Sequence, residues 1–140
     1  MKSLPDFVML VDDDFDDHEI FSLALESVDP SIKCAYYDSA QIALNDIIQK
    51  NFTYPDYIFL DLNMPGLNGI QFLEQLKKED CCTSVPIVVY STSILPSDKE
   101  KVLNLGADHF FIKPSSHKEL IEELNLVFKT IQKIPSPSST

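Results

Sequence analysis

Five short apolar runs, each followed by a longer stretch whose apolar residues recur at helical spacing, restrict this chain to very few folds. The candidate strands are Phe7 to Val11, Ile32 to Tyr36, Tyr57 to Leu60, Ile87 to Tyr90 and His109 to Ile112. The helical patterns run from Asp16 to Val28, Ala40 to Gln49, Asn68 to Lys78, Ser97 to Leu105 and His117 to Ile131. In the last of these, Leu120, Leu124, Val127 and Ile131 recur at three-to-four spacing with charged residues between them. Runs as uniformly apolar as IVVY suit strands covered on both faces. Strand-then-helix units repeated in this way imply an α/β fold: a parallel sheet wound by right-handed crossovers, with helices on both sides.

The boundaries carry their own chemistry. Ser39 stands at an N-cap position, Asp29-Pro30 stops the first helix, Gly106 follows the fourth, and Ser116 with Glu119 forms a capping box before the fifth. A chain of 140 residues has room for one domain. The expected domain covers residues 5–132. Residues 133–140, ending in IPSPSST, have little to bury and are expected to form a flexible tail.

A formal charge of −11 makes nucleic acid and anionic membrane surfaces repulsive partners. All eleven basic residues are lysines, so the planar two-pronged grip of arginine on phosphate is missing. Phosphate chemistry here must use a metal, backbone N–H groups or a lysine. The start, MKSLPDF, lacks the apolar stretch of a secretory signal, and no run approaches the roughly 18 apolar residues of a membrane helix, so a soluble cytoplasmic protein is expected. Cys34, Cys81 and Cys82 show no metal-ligand spacing and are expected to be reduced thiols.

The stretch LVDDDFDDHEI packs five aspartates into six positions directly after an apolar run, a density at which like charges repel. In an open parallel sheet, ligands bind beyond the carboxyl ends of the strands, where strand order reverses. After the first strand come Asp12, Asp13 and Asp14; after the third, Asp61 and Asn63; after the fourth, Ser91 and Thr92; after the fifth, Lys113 and Pro114. Three carboxylates at one edge raise one another's pKa and invite a divalent cation. Mg²⁺ takes oxygen ligands and is commonly held by one or two carboxylates plus a phosphate, which matches Asp12 and Asp13.

With VDDD at 11–14, LDLNMPGLNG at 60–69, PIVVYS at 86–91 and FFIKP at 110–114, the sequence resembles the receiver domain of bacterial two-component response regulators, of the stand-alone, chemotaxis-regulator-like type. The resemblance covers about residues 5–132. It implies a flavodoxin-like, doubly wound sheet of order 2-1-3-4-5 with five helices. It further implies Asp61 as phospho-acceptor, Asp13 as direct Mg²⁺ ligand, Asp12 as a ligand largely through water and Asn63 as donor of a backbone carbonyl, with Mn²⁺ able to replace Mg²⁺. Ser91 would hydrogen-bond the phosphoryl group, Lys113 would pair with it, and Ser91 and Phe110 would form the switch. The donor would be a histidine kinase or a histidine phosphotransfer protein, and the output a downstream protein partner. The chain would be a monomer or a phosphorylation-dependent dimer and would modify only itself, not act as an enzyme. The Lys113–Pro114 bond is a candidate for cis.

Several residues admit plainer roles. Asp16 and Asp17 are expected to cap the first helix and to interact with its N-terminal dipole, with Asp14 near the water shell of the metal. Thr92 competes with Ser91 for the hydroxyl role and stands where the family more often has a small residue. His18, His109 and His117 have no ligand spacing. In a strand one of Phe110 and Phe111 faces each way, and only the motif selects Phe110 as the switch. Leu95, Val102 and Leu103 fit either the core or a pairing face. Two rivals remain at this point: a pseudo-receiver that docks partners regardless of phosphorylation, and an aspartyl-phosphate hydrolase. The hydrolase needs a second aspartate two residues after the nucleophile, where this chain has Asn63.

Overall fold

Alternation along the strands sorts the side chains of this protein into two cores. The computed structural model describes residues 4–49, 54–79, 85–92 and 95–131; Cys81, Cys82 and the expected tail lie outside them. The strands are β1 (Phe7–Val11), β2 (Lys33–Tyr37), β3 (Tyr57–Asp61), β4 (Ile87–Ser91) and β5 (His109–Ile112). The helices are α1 (Phe15–Val28), α2 (Ala40–Ile48), α3 (Gly69–Glu79), α4 (Pro96–Asn104) and α5 (His117–Thr130). All strand pairs are parallel, in the order β2-β1-β3-β4-β5. This is the flavodoxin-like arrangement expected, with every strand in the predicted place to within a residue or so.

On β1, Val8 and Leu10 point to one face and join Phe21, Leu25, Phe59, Leu124 and Phe128 beneath α1 and α5. Met9 and Val11 point to the other and join Leu44, Ile47, Leu60, Phe72, Leu73 and Val102 beneath α2, α3 and α4. Because the central strands β1, β3 and β4 are covered on both sides, they are almost wholly apolar. The edge strand β2 is only partly buried and carries Lys33 and two tyrosines. Phe111 packs under α5, whereas Phe110 is half-buried on the opposite face. Val102 belongs to the core, and Leu95 and Leu103 are exposed.

Side chains near the helix ends settle most of the boundaries. Ser39 accepts from the N–H of Ile42, and Ser116 from that of Glu119. The Glu119 carboxylate accepts from the hydroxyls of Ser115 and Ser116, so this capping arrangement closes through serine hydroxyls. A box not foreseen stands before α3: the N–H of Gln71 donates to Asn68 Oδ1 while the N–H of Asn68 donates to Gln71 Oε1, both at 2.9 Å. At α1 the expectation needs correction. The helix starts at Phe15, one residue early, so the capping position falls on Asp14, whose carboxylate accepts from the N–H groups of Asp16 and Asp17. Asp14 is therefore tied to the helix end and is not part of the acid cluster described below. The Lys113–Pro114 bond is trans, as are the other peptide bonds described.

One glycine is demanded by space. A Cβ at Gly69 would lie 2.8 Å from both the carbonyl oxygen of Asp61 and the Cα of Leu62. This close approach lets the first turn of α3 pack against the end of β3, where the Gly69 N–H donates to the Leu62 carbonyl at 3.0 Å. Gly69→Ala is expected to cost about 1–3 kcal/mol through overpacking. Urea unfolding reads this, and an unchanged midpoint would show that the loop yields freely.

Candidate functional site

The sheet order turns back between β1 and β3, since the chain first adds β2 on one side of β1 and then β3 on the other. That is the reversal point at which open α/β sheets bind ligands. The backbone extends the ladder there on both sides: the Asp12 N–H donates to the Tyr37 carbonyl at 3.0 Å and the Lys113 N–H to the Ser91 carbonyl at 2.7 Å. Residues far apart in sequence thus leave the sheet at one edge.

Asp12, directly after β1, is fully buried, and Asp61, the last residue of β3, is nearly so. Asp13 is exposed. One carboxylate oxygen from each of the three lies within 4.8 Å of the others, close enough to share one ion. Asp12 is held on both oxygens: Oδ1 accepts from the Asp14 N–H at 2.9 Å, and Oδ2 accepts from Tyr90 Oη at 2.6 Å and from Lys113 Nζ at 3.1 Å. Lys113 Nζ stands 3.6 Å from Asp61 Oδ2 and donates to Asp17 Oδ2 at 2.6 Å. Asp17, expected only to support the helix end, is thereby the tightest partner of the lysine.

Burial pushes the Asp61 carboxyl up to about 6, against the pull of the Lys113 ammonium and with a further push from Asp12. Burial also works against the charge on Lys113, yet the hydrogen bond to Asp17 and the charges of Asp12 and Asp61 outweigh it and hold the ammonium above its ordinary value. The Tyr90 hydroxyl is pushed well above its ordinary range by burial and then by Asp12, so it remains a donor.

Ser91, at the end of β4, is buried and accepts from Asn63 Nδ2 at 2.7 Å, while the Asn63 N–H donates to Asp61 Oδ1 at 3.2 Å. Thr92 is exposed beside it. Phe110 lies beneath Lys99, whose Nζ is 4.6 Å from the ring centre. Asp12, Asp13, Asp61, Ser91, Asn63 and Lys113 thus meet at one edge, with Phe110 on the flank toward α4. Missed in the sequence were Asp17 and Tyr90. Tyr90 reads as one more apolar residue of IVVY, and nothing in spacing reveals its hydroxyl partner 78 positions away. The histidines sit elsewhere: His18 is stacked on Tyr36 with ring centres 3.7 Å apart, and His117 contacts Ser27. Burial raises the Cys34 thiol to about 12, which leaves it inert.

Among the described residues no helix is long and apolar enough to cross a membrane. The phosphate regulon transcriptional regulatory protein PhoB of Escherichia coli K12 is 32% identical over 125 residues, covering 89% of this chain and 52% of that protein. The chain spans about half the length of such curated relatives. The receiver domain of Francisella response regulator 1452 superimposes with a TM-score of 0.70 at 28% identity, over 89% of this chain and 97% of the other. The phosphorylated cyanobacterial phytochrome response regulator RcpA shares the fold with a TM-score of 0.82 at 24% identity, over 95% of this chain and 100% of the other. The family model of the response regulator receiver domain matches residues 8–125, a span that includes every acid and the lysine of the site, and the chain belongs to that family.

Proposed function

We propose that this chain accepts a phosphoryl group on Asp61 from a histidine kinase or a histidine phosphotransfer protein, with Mg²⁺ and in the cytoplasm, and that the modified form changes its affinity for a protein partner. The observation that carries the reading is the meeting of three carboxylates within 4.8 Å with the Lys113 ammonium 3.6 Å from Asp61. As a receiver domain the chain is a phosphorylation switch and not an enzyme.

The donor set is all oxygen, which fits a hard divalent cation, Mg²⁺ or Mn²⁺ in its place. Asp13 and Asp61 would ligate it directly, Asp12 largely through water because its oxygens are already engaged, and Asn63 through its backbone carbonyl. The bound ion supplies neutralisation of charge between carboxylate and phosphoryl oxygens. A carboxylate oxygen of Asp61 attacks phosphorus in line. The P–O bond forms as the P–N bond to the donor imidazole breaks, and that nitrogen keeps the electron pair and takes a proton from water. Lys113 stabilises charge on the transferred group, since positioning and electrostatics do most of the work in such transfers. Hydrolysis returns the carboxylate and inorganic phosphate.

Phosphorylation adds about −1.5 to −2 charges and three acceptor oxygens. Ser91 would exchange its bond from Asn63 for the phosphoryl group, and Phe110 would turn inward from beneath Lys99. The face of α4, β5 and α5, where Leu95, Leu103, Ile112 and Leu126 are exposed, would then be reshaped for a partner or a second copy. The test is intact-mass measurement after incubation with acetyl phosphate. A gain of about 80 Da that requires Mg²⁺ supports the reading, and no gain ends it.

Thr92 follows Ser91 at the end of β4 and is exposed, and there it would narrow the approach of water to the acyl phosphate. Thr92→Ala is expected to lose the phosphoryl group about threefold faster, less than about 1 kcal/mol of barrier. Time courses of phosphate release decide this, and equal rates would remove Thr92 from the site.

A further inference from the structure

We infer that Asp17 is a positioning residue that holds the Lys113 ammonium in place for the phosphoryl group on Asp61. The inference rests on the phosphorylation reading above and goes beyond it in assigning a fourth carboxylate. Asp17 takes no part in the cluster formed by Asp12, Asp13 and Asp61. It lies in the first turn of α1, and its carboxylate is turned to the lysine at 2.6 Å, closer than either Asp12 at 3.1 Å or Asp61 at 3.6 Å.

A lysine ammonium has three donors on a flexible four-carbon stem. Two are engaged, by Asp17 and Asp12, and the distance to Asp61 is that of an ion pair outside hydrogen-bond range. One donor is thus left for the group that grows on Asp61. Asp12 is a single fixed point, and it shares its Oδ2 between Lys113 and Tyr90. Asp17 supplies the second fixed point, and α1, packed against α5 across the same face, supplies the rigid element beneath it. The ammonium is thereby ordered before phosphate arrives.

The test uses the full chain, acetyl phosphate and a Mg²⁺ titration, read by intact mass, for wild type, Asp17→Ala, Lys113→Ala and the double variant. Asp17→Ala should be phosphorylated about tenfold more slowly at saturating Mg²⁺, with half-saturating Mg²⁺ shifted less than about twofold. In the Lys113→Ala background the same change should have no further effect. The ¹H–¹⁵N signal of the Lys113 ammonium should be visible in wild type and lost in Asp17→Ala, and Asp17→Asn, which keeps an acceptor oxygen, should recover part of both readouts. A wild-type rate in Asp17→Ala overturns the inference. So does an equal loss in both backgrounds, which marks a structural role, or a loss cured by more Mg²⁺, which marks ion binding. If wild type itself gains no mass, the phosphorylation reading falls and this inference with it; if wild type gains mass and Asp17→Ala matches it, only the role of Asp17 falls.

Discussion

Asp61→Asn is expected to abolish the phosphoryl adduct and, in the same protein without metal, to raise stability at pH 8. The first effect follows from the nucleophile. An amide has no anionic oxygen to attack phosphorus, and the neighbouring Asp12 is buried with both oxygens held by Asp14, Tyr90 and Lys113, so it is no substitute. Intact mass after acetyl phosphate treatment reads the loss, and an adduct retained in Asp61→Asn would place the chemistry elsewhere. The second effect follows from the raised pKa. Asp61 titrates at about 6 in the folded chain against 3.8 as the ordinary value. Between these values the folded form holds a proton that the unfolded chain has released, so stability without metal falls as pH rises from about 4 to about 6 and then levels off for this group. A gap of about two units is worth on the order of 3 kcal/mol. Asparagine removes both the fall and its cause. Thermal melts in EDTA at pH 5 and pH 8 check it: the gap between the two should shrink in the variant, and an unchanged gap would mean that Asp61 carries no such strain.

Lys113→Ala should act in the opposite direction. The ammonium is the shared counter-ion of Asp12, Asp17 and Asp61, and Asp12 is fully buried. Removing one member of a buried ion pair leaves an uncompensated charge and costs about 3–5 kcal/mol, a large part of the roughly 5–15 kcal/mol by which domains are stable. The loss should be largest in EDTA above pH 6, where Asp61 is ionised, and should shrink when millimolar Mg²⁺ binds the folded state and supplies positive charge. Urea unfolding with and without Mg²⁺ separates the cases. A Lys113→Ala protein as stable as wild type in EDTA would show that the acids hold together without it.

Much of the architecture is legible in the sequence, because the signals are local. Period-two and period-3.6 patterns, Ser39, Asp29-Pro30 and Ser116 each act over a few residues, and the strands and helices fell where those signals put them. The acids after β1 and β3 were readable for a different reason: strand order brings strand ends together whatever lies between. What escaped was set by packing across elements. Asp17 reads as one more acid in a helix start, and only the position of α1 beside the β5–α5 connection turns it to Lys113. The cap of α1 falls on Asp14 rather than on Asp16 or Asp17, because a shift of one residue in the helix start moves it. The motif points to the Asn63 carbonyl alone, while the side chain donates to Ser91 across 28 positions.

Tyr90 belongs to two worlds at once. Its hydroxyl grips Asp12, while its ring touches Phe21 and Phe111 in the layer under α1 and α5. A substitution that repacks those phenylalanines would therefore be felt as a reorientation of an acid at the rim, with no polar residue changed. Grafting the aspartates and the lysine onto another sheet would not transplant the pocket, because part of its scaffolding is greasy and lies a layer below.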